Sequence, residues 1–339
     1  MNIIIPMAGR GSRLRPHTLT TPKPLIPVAG KPIVERLVED IVRMLPESVD
    51  RIAFVTGRFG EECENDLLEV ASRLGAKGQI CYQDQPLGTA HAILCGEELL
   101  EGPVVVAFAD TLFRADFTIN AEADGVLFTQ KIDDPSAFGV VVTDDEGNIT
   151  DYVEKPKEFV SDQAMIGIYS FKDGARLKKE LQYLIDNNIL LGGEYQLPDA
   201  LRNMTQSGLK FIPGEVSEWM DCGNKEVTVE TNGRVLDILQ EEGRLHEGNG
   251  IDPSAEIIDS TVISPCYIGP GVKIVRSVVG PHVSLGANTA VTNSTLQDCL
   301  IQSDVIIDNS VMDGSMIGAK SKVIGTPLDV SIGDFSSID

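Results

Sequence analysis

Residues 3–16 read Ile-Ile-Ile-Pro-Met-Ala-Gly-Arg-Gly-Ser-Arg-Leu-Arg-Pro, an apolar run that passes directly into a glycine-rich turn. The apolar pattern recurs in three later runs, and amphipathic helical patterns separate these runs. The later runs cover 52–55, 80–82 and 104–108, and the helical patterns cover 33–45, 61–74 and 89–100. Short strands that alternate with helices predict a Rossmann-like α/β fold, with a mixed but mainly parallel sheet covered by helices on both faces.

The sequence pattern changes between residues 125 and 171. Strand-like runs are separated there by turn-forming sequences such as Asp144-Asp-Glu-Gly-Asn148. Such strands should extend the sheet or pair antiparallel beside it, because tight turns join antiparallel neighbours. Helical patterns follow near 173–187 and 194–207, and a polar helical pattern covers 224–242.

A repeat of five or six residues begins after residue 248. Apolar residues recur at this interval, and small or turn-forming residues fill the gaps. The apolar positions are 251, 257, 263, 268, 274, 279, 285, 291, 296, 301, 307, 312, 317 and 323. Hexapeptide repetition predicts a left-handed parallel β-helix of about five coils with about 18 residues per coil. We therefore predict an α/β domain over 1–223, a helical connector over 224–249 and a β-helix over 250–339.

Acidic residues outnumber basic ones throughout the composition. The 339 residues include 28 Lys and Arg against 51 Asp and Glu, a formal net charge of −23 at pH 7. This charge argues against nucleic acid and anionic membranes as partners, because both would be repelled at long range. The longest apolar run, 104–109, is far shorter than the roughly 18 residues of a membrane span. The six cysteines form no CxxC pair and the N-terminus shows no secretion signal, so we expect a cytoplasmic protein.

The N-terminal segment reverses this charge balance. Within residues 1–36, Glu35 is the only acid among six basic residues. The six are Arg10, Arg13, Arg15, Lys23, Lys31 and Arg36. The pair Gly9 and Gly11 does not begin a dinucleotide fingerprint, because Leu14 occupies the third glycine position, and the chain has no P-loop motif. A glycine turn with main-chain N–H groups beside clustered cations favours an anionic ligand.

The same segment resembles the opening motif of the sugar-1-phosphate nucleotidylyltransferases, also called NDP-sugar pyrophosphorylases. The resemblance rests on Gly9-x-Gly-Ser-Arg-Leu-x-Pro16, Pro22-Lys-Pro-Leu-Ile-Pro-Val28 and Lys31-Pro. Ala8 stands where many members have a first glycine. The glucose-1-phosphate uridylyltransferase branch resembles this chain at that position. The terminal repeats match the longer members of the thymidylyltransferase group. The resemblance implies an enzyme that joins dTTP or UTP to a hexose-1-phosphate, with glucose-1-phosphate expected, and releases pyrophosphate.

The implied reaction sets clear chemical requirements. The attacking phosphate is already anionic, since its second pKa is about 6, so no general base is required. Two polyanions must be brought together, which calls for Arg, Lys and a divalent cation. By resemblance, Arg13, Lys23 and Lys155 are the catalytic cations. Asp110 and Asp221 are the expected Mg²⁺ ligands, and Asp110 ends a strand at the sheet edge where α/β proteins bind ligands.

Substrate contacts are also assigned by resemblance. The segment Gln83-Asp-Gln-Pro-Leu-Gly-Thr-Ala90 resembles the base-reading loop, and a glutamine amide offers a donor and an acceptor that complement uracil or thymine. The expected nucleotide-binding residues are Ala8, Gly9, Gly11, Gln83, Pro86, Gly88, Thr89 and Asp110. The expected sugar-phosphate-binding residues are Gly139, Glu154, Lys155, Gly167, Tyr169, Glu194 and Trp219.

Other activities remain open at this point. Hexapeptide β-helices often belong to acyltransferases, which makes a bifunctional N-acetylglucosamine-1-phosphate uridylyltransferase an alternative. His282 is the only histidine in 250–339 and no long loop is inserted there, which disfavours acyl transfer. A mannose-1-phosphate guanylyltransferase and a non-catalytic scaffold subunit are further alternatives. The repeats also predict a homo-oligomer that associates through the β-helix.

Overall fold

The computed structural model describes residues 1–9, 11–115, 119, 122–245, 250–325 and 329–338. The chain divides into two compact units. Unit 1 contains 1–9 and 35–219, and unit 2 contains 10–34 and 220–339. The division into three domains over 1–223, 224–249 and 250–339 stays a prediction. The two compact units group residues 10–34 with residues 220–339. Within the described residues, no helix has the length and apolar character needed to cross a membrane.

Unit 1 is built on a mixed sheet of nine strands. They are β1 (Asn2–Pro6), β2 (Arg51–Thr56), β3 (Lys77–Tyr82), β4 (Val104–Ala107), β5 (Gly125–Lys131), β6 (Gly139–Thr143), β7 (Ile149–Glu154), β8 (Gln163–Phe171) and β9 (Phe211–Glu215). The main order is β7-β6-β8-β4-β1-β2-β3, with β5 beside β8 and β9 beside β5. The helices are α1 (Ile33–Met44), which begins in unit 2, α2 (Glu61–Arg73), α3 (Thr89–Leu94), α4 (Gly174–Asp186) and α5 (Leu197–Gln206). A short strand, Thr111–Arg114, lies off this sheet.

The parallel centre of the sheet forms where the sequence predicted it. β1 pairs in parallel with β2 and β4, and β2 pairs in parallel with β3. The side chains of Ile3, Ile4 and Ile5 are completely buried. Apolar residues on both faces of a strand require cover on both sides, which the flanking helices provide. The predicted α/β fold class is confirmed.

One predicted helix is shorter than expected. The pattern over 89–100 gives α3 only as far as Leu94, and a single turn, Glu97–Leu99, follows it. The interruption lies at Gly96, where a Cβ would come within 3.3 Å of Cγ2 of Ile4. Close approach of the chain to β1 therefore explains both the glycine and the break in the helix.

The antiparallel part of the sheet follows the predicted turn chemistry. β8 pairs antiparallel with β4 and with β5, and β6 pairs antiparallel with β7. In the β6–β7 turn, Oδ1 of Asp144 accepts hydrogen bonds from the main-chain N–H of Glu146 and Asn148, at 3.0 and 2.8 Å. This Asx-type turn fixes the hairpin.

Unit 2 contains α6 (Lys225–Glu241) and three parallel sheets of short strands. Asn224 caps α6 by accepting a hydrogen bond from Val227 N at 3.2 Å. The first sheet contains Glu256–Ile258, Lys273–Val275, Ala290–Thr292, Ile306–Asp308, Lys322–Ile324 and Ser337–Ile338; the second contains Thr261–Val262, Val278–Val279, Thr295–Gln297 and Val311–Asp313; the third contains Cys266–Ile268, Val283–Leu285, Leu300–Ile301, Met316–Ile317 and Ser331–Ile332. Three stacked parallel sheets in this order are a β-helix, as predicted. The segments Pro27–Val28 and Lys31–Pro32 form a small hairpin, and Glu218–Asp221 leads from unit 1 into unit 2.

The coils are shorter than the predicted length. Ile274, Val291, Ile307 and Val323 occupy one register and lie 17, 16 and 16 residues apart along the chain. The corner between the first and second sheets has only two residues, such as Asn293 and Ser294, and Asn293 has a positive φ of +48°. Because the corner is this short, the repeat falls below the expected 18 or so.

Most of the predicted inward positions are buried. The positions from Ile268 to Val323 are at most 2% exposed. Ile257 and Ile263 are 38% and 43% exposed, which corrects the expectation for the first coil. Ile257 pairs with Ile274 on one side. Among the described residues, no strand pairs with it on the other side, so its side chain keeps contact with solvent.

Candidate functional site

The C-terminal edge of the parallel strands carries the first predicted site residues. β1 and β4 run parallel with Ile4 opposite Val106. Ala8 and Gly9 follow β1, and Asp110 follows β4, so all three lie at this edge. Ala8 is half-buried, while Gly9 and Asp110 are exposed. Open α/β sheets bind ligands at this edge, so the fold itself favours a site here.

The loop after β3 is joined to a second segment through Gly88. This glycine has φ of +112°, and a Cβ would come within 2.4 Å of the carbonyl oxygen of Tyr195. Tyr195 N donates to Leu87 O at 2.8 Å, and Ala90 N donates to Tyr195 O at 3.0 Å. The contact brings exposed Glu194, predicted on the sugar side, next to the predicted nucleotide loop.

Gln83 has defined side-chain partners within this loop. Its Nε2 lies 3.2 Å from the carbonyl oxygen of Gly88 and 3.1 Å from Nδ1 of His91. Pro86, in the same loop, is exposed. The predicted base reader is therefore held in one orientation, and His91 is a neighbour that the sequence did not single out.

Thr89 connects the same loop to α5. Its Oγ1 donates to Oε1 of Gln196 at 3.1 Å and accepts a hydrogen bond from Leu197 N at 2.9 Å. Both hydrogen bonds tie the start of α3 to the start of α5. The hydroxyl group thus has a positioning role for the loop in this structure.

Gly139 and Glu154 lie together on the predicted sugar side. A Cβ on Gly139 would come within 2.8 Å of Oε2 of Glu154 and 2.7 Å of Cε of Met165. Lys155 N donates to the carbonyl oxygen of Phe138 at 3.0 Å, and Lys155 Nζ lies 3.7 Å from Oε1 of Glu154. Both side chains are exposed. A surface ion pair of this kind contributes little stability, so both groups can exchange partners with a ligand.

Tyr169 lies on β8, where it is paired with Val106 of β4 and with Leu127 of β5. Burial raises the pKa of its hydroxyl, and the negative charges of Glu154 and Asp110 raise the pKa further. Its ring packs edge-on against Phe108, with centroids 6.3 Å apart. Gly167, with φ of +83°, accepts a hydrogen bond from Phe108 N at 2.9 Å. Asp110 and Glu154 therefore act on one buried group.

Trp219 packs beside the same region. Its Nε1 donates to Oγ1 of Thr111, the residue that follows Asp110. Its ring lies edge-on to Phe138, with centroids 4.8 Å apart. Trp219 thus connects the chain after Asp110 with the chain before Gly139.

The predicted phosphate-binding residues of unit 2 lie around Gly11. Gly11 has φ of +56°, and a Cβ there would come within 3.0 Å of Cβ of Lys23. Thr18 Oγ1 donates to the carbonyl oxygen of Gly11 at 2.8 Å. Arg13 is exposed in the single turn Ser12–Leu14, and Lys23 is only 8% exposed. Arg10 lies outside the described residues.

The segment 10–34 is anchored to α6 and to the last coil of the β-helix. Asn232 Oδ1 accepts hydrogen bonds from Ala29 N at 2.9 Å and from Ser284 Oγ at 2.7 Å. A Cβ on Gly333 would come within 3.0 Å of Cβ of Pro16. Sequence reasoning missed these contacts, because the partners are far apart along the chain and share no local pattern.

His17 is completely buried in the same unit. Its Nε2 lies 3.2 Å from Oγ of Ser331. Burial lowers the pKa of His17 to about 4, which Asp334 opposes and Lys225 reinforces. The imidazole is therefore neutral at pH 7, and it joins the chain around Pro16 to the β-helix.

Asp221 lies at the start of the connector in unit 2. Its main-chain oxygen accepts a hydrogen bond from Thr231 Oγ1 at 2.6 Å, and a Cβ on Gly223 would come within 2.7 Å of its Oδ2. Among the described residues, no three His, Cys, Asp or Glu side chains cluster as a metal site. Mg²⁺ binds through one or two carboxylates plus substrate phosphates and water. The carboxylates of Asp110 and Asp221 are each hard oxygen donors of the type that Mg²⁺ prefers.

His282 has both ring nitrogens engaged. Nε2 lies 2.9 Å from Asp237 Oδ1, and Nδ1 lies 3.0 Å from Asp298 Oδ1. Burial alone would lower the pKa of His282, but the hydrogen bonds and charges of the two carboxylates outweigh it and raise the pKa. Because both ring nitrogens are engaged by carboxylates, neither is positioned to take a proton from a substrate, which disfavours an acyl-transfer base.

Comparison with known proteins agrees with this architecture. A family model described as nucleotidyl transferase matches residues 2–237. The chain is 30% identical over 334 residues to the low-salt glycan biosynthesis nucleotidyltransferase Agl11 of Haloferax volcanii, covering 93% of this chain and 90% of Agl11. It is 28% identical to a glucose-1-phosphate thymidylyltransferase of Streptomyces antibioticus, covering 95% and 93%.

A solved structure gives the same result. The crystal structure of a UDP-glucose pyrophosphorylase complexed with UDP-glucose superposes with a TM-score of 0.57 at 25% identity, covering 70% of this chain and 98% of that one. The family model covers the α/β domain, and the similarity to Agl11 and to the thymidylyltransferase extends over nearly the whole chain. The chain is therefore a nucleotidyltransferase and belongs to the sugar-1-phosphate nucleotidyltransferase family.

Proposed function

We propose that this enzyme joins dTTP or UTP to glucose-1-phosphate and releases pyrophosphate. The observation that carries the proposal is the contact between Gly88 in the predicted nucleotide loop and Glu194 on the predicted sugar side: a Cβ on Gly88 would come within 3.0 Å of Cβ of Glu194. This contact supports a site in unit 1 that takes a nucleotide beside a sugar phosphate. The named activities of the thymidylyltransferase relative and of the UDP-glucose pyrophosphorylase support this pair of substrates.

The proposed roles follow from charge. Arg13 and Lys23 hold and neutralise the triphosphate, and Lys155 contacts the phosphate of the sugar phosphate. Arg suits bidentate phosphate contact, and Lys acts as a point charge. The sugar-phosphate oxygen attacks the α-phosphorus, the bond from that phosphorus to the bridging oxygen breaks, and pyrophosphate leaves with the electron pair. Glu154 and Glu194 accept hydrogen bonds from sugar hydroxyl groups.

Members of this family generally use a divalent metal, and we propose Mg²⁺. Asp110 and Asp221 are each proposed as one carboxylate ligand. When bound, the cation would neutralise charge on the triphosphate and on the leaving pyrophosphate. A cytoplasmic location is also proposed, because all six cysteines are described and no disulfide joins any of them, as expected in a reducing compartment.

The test is pyrophosphate release from a panel of nucleoside triphosphates and sugar-1-phosphates. We expect turnover with dTTP or UTP and glucose-1-phosphate, and none after treatment with a chelator. Asp110→Asn should lower kcat by at least about 10²-fold. Asp145→Asn is the matched control, because Asp145 is an exposed carboxylate in the distant β6–β7 turn. Equal turnover in the two variants would contradict the role of Asp110.

A further inference from the structure

We propose that His91 is a positioning residue that turns the carbonyl oxygen of Gln83 toward the base and so selects bases with an imide N–H. This inference rests on the proposed function, since it assigns the nucleotide loop to a base. It identifies a determinant of nucleotide choice on α3 that does not itself contact the substrate.

The main chain at Gln83 is fixed first. Gln83 N donates to the carbonyl oxygen of Thr56 at 2.9 Å, which continues the pairing of β2 with β3 by one residue. The side chain therefore starts from a rigid point at the C-terminal edge of the sheet. Only the rotation of the side chain and the orientation of its amide remain to be determined.

Gly88 determines the orientation of that amide. Its carbonyl oxygen lies 3.2 Å from one end of the Gln83 amide. A carbonyl oxygen can only accept, so this end must be the nitrogen. The same nitrogen lies 3.1 Å from Nδ1 of His91. Both hydrogens of Nε2 are then donated within the protein, and Oε1 is the group left for a ligand.

His91 can serve as the second acceptor only in one form. Nδ1 must carry a lone pair, which places the ring proton on Nε2. Burial lowers the pKa of His91, which keeps the ring neutral at pH 7. The ring projects from α3, whose start is held by the hydrogen bond from Ala90 N to Tyr195 O. The acceptor is thus mounted on a fixed element.

In this arrangement, Oε1 of Gln83 would accept a hydrogen bond from a donor on the base. Uracil and thymine present the imide N3–H, whereas cytosine presents an unprotonated N3 at the corresponding position. A carbonyl oxygen facing that lone pair is repulsive, so the orientation of Gln83 favours UTP or dTTP over CTP. Without the acceptor on His91, only Gly88 opposes rotation of the amide, and the reversed amide would donate to cytosine.

The experiment measures nucleotide affinity and kcat/KM for UTP and CTP in the full chain. His91→Leu removes the acceptor and should lower the UTP-to-CTP ratio about tenfold, through KM for the nucleotide and with KM for the sugar phosphate unchanged. His91→Asn keeps an acceptor near the position of Nδ1 and should restore the ratio. A purely structural role would lower kcat for both nucleotides equally, and that result would overturn the inference.

A double-mutant cycle separates positioning from packing. If His91 acts through Gln83, His91→Leu should have no further effect on the ratio in a Gln83→Leu background. Additive effects would contradict the proposal. Calorimetric binding to the wild type separates failure of the proposed function from failure of the role of His91. If the wild type binds UTP more tightly than CTP but releases no pyrophosphate, only the proposed function is overturned. If it releases pyrophosphate but binds UTP and CTP equally, only the role of His91 is overturned, and if it binds no nucleotide, both are overturned.

Discussion

Gly88 shows how one residue can determine the shape of the predicted nucleotide loop. Its φ of +112° is costly for any residue with a side chain, and a Cβ there would overlap the main chain of Tyr195. The main chain of Tyr195 is held by two hydrogen bonds, so neither partner can move independently. The loop geometry around Gln83 therefore depends on the absence of a Cβ.

Gly88→Ala should open this loop and weaken nucleotide binding. We expect a loss of about 1–3 kcal/mol in stability from strain alone, together with a higher KM for the nucleotide. Gly60→Ala is the control, because Gly60 has φ of +96° with nothing within 4 Å of its would-be Cβ. A Gly60→Ala protein should share the backbone strain and retain the KM. Equal KM values in the two variants would contradict the explanation.

His17 makes the stability of unit 2 sensitive to acid. Its folded-state pKa of about 4 lies below the unfolded value of 6.5, so protonation favours the unfolded state. The contribution of His17 is fully present above pH 6.5 and is lost as the pH falls toward 4, by about 3 kcal/mol in total. His17→Gln keeps a donor toward Ser331 but cannot titrate. In urea unfolding, the free energy of unfolding should fall less between pH 7 and pH 5 for His17→Gln than for the wild type.

His282 should change the pH dependence of stability in the opposite direction from His17. Its pKa is raised in the folded state, so its contribution is present below the unfolded pKa of 6.5 and is lost as the pH rises through the higher folded value. His282→Gln should therefore lower stability at pH 6 more than at pH 8. If both histidine variants changed the pH dependence of the unfolding free energy in the same direction, the opposite pKa shifts of His17 and His282 would be contradicted.

At the scale of elements, the segment 10–34 depends on α6 and the β-helix. Asn232 accepts two hydrogen bonds at a completely buried position. Asn232→Leu leaves the Ala29 N–H and the Ser284 hydroxyl without this acceptor and should lower the free energy of unfolding by about 2–4 kcal/mol. Glu230→Leu, exposed on the same helix, should change it by less than about 0.5 kcal/mol. Thermal unfolding of the full chain measures both.

Local patterns predicted the elements well, because a buried strand, an amphipathic helix and a repeated inward residue each have their own period. The positions Ile268 to Val323 show this directly. The α3 boundary and the coil length depend on tertiary features, namely the approach of Gly96 to Ile4 and the two-residue corners between sheets. The contact of His17 with Ser331 spans 314 residues. No local period encodes such a contact, so sequence reasoning could not find it.

At the scale of the whole molecule, the β-helix carries an exposed apolar row. Val278, Thr295 and Val311 occupy one register on the second sheet, and the two valines are 37% and 46% exposed. Solvated valines on a flat sheet face suit self-association, and we propose this row as the homo-oligomer contact. Val311→Lys should reduce the mass measured by sedimentation equilibrium. Phe159→Lys, in unit 1, is the control; a monomeric wild type would contradict the proposal.

The anchoring of Pro16 and His17 on the last coil also affects biosynthesis. During translation His17 leaves the ribosome 314 residues before Ser331. Domains that contain only local neighbours can fold as they emerge, but unit 2 brings together segments that are far apart along the chain. A nascent polypeptide that does not yet include Ser331 and Gly333 therefore lacks the contacts that anchor Pro16 and His17, and full activity should arise only after the last coil has been synthesised.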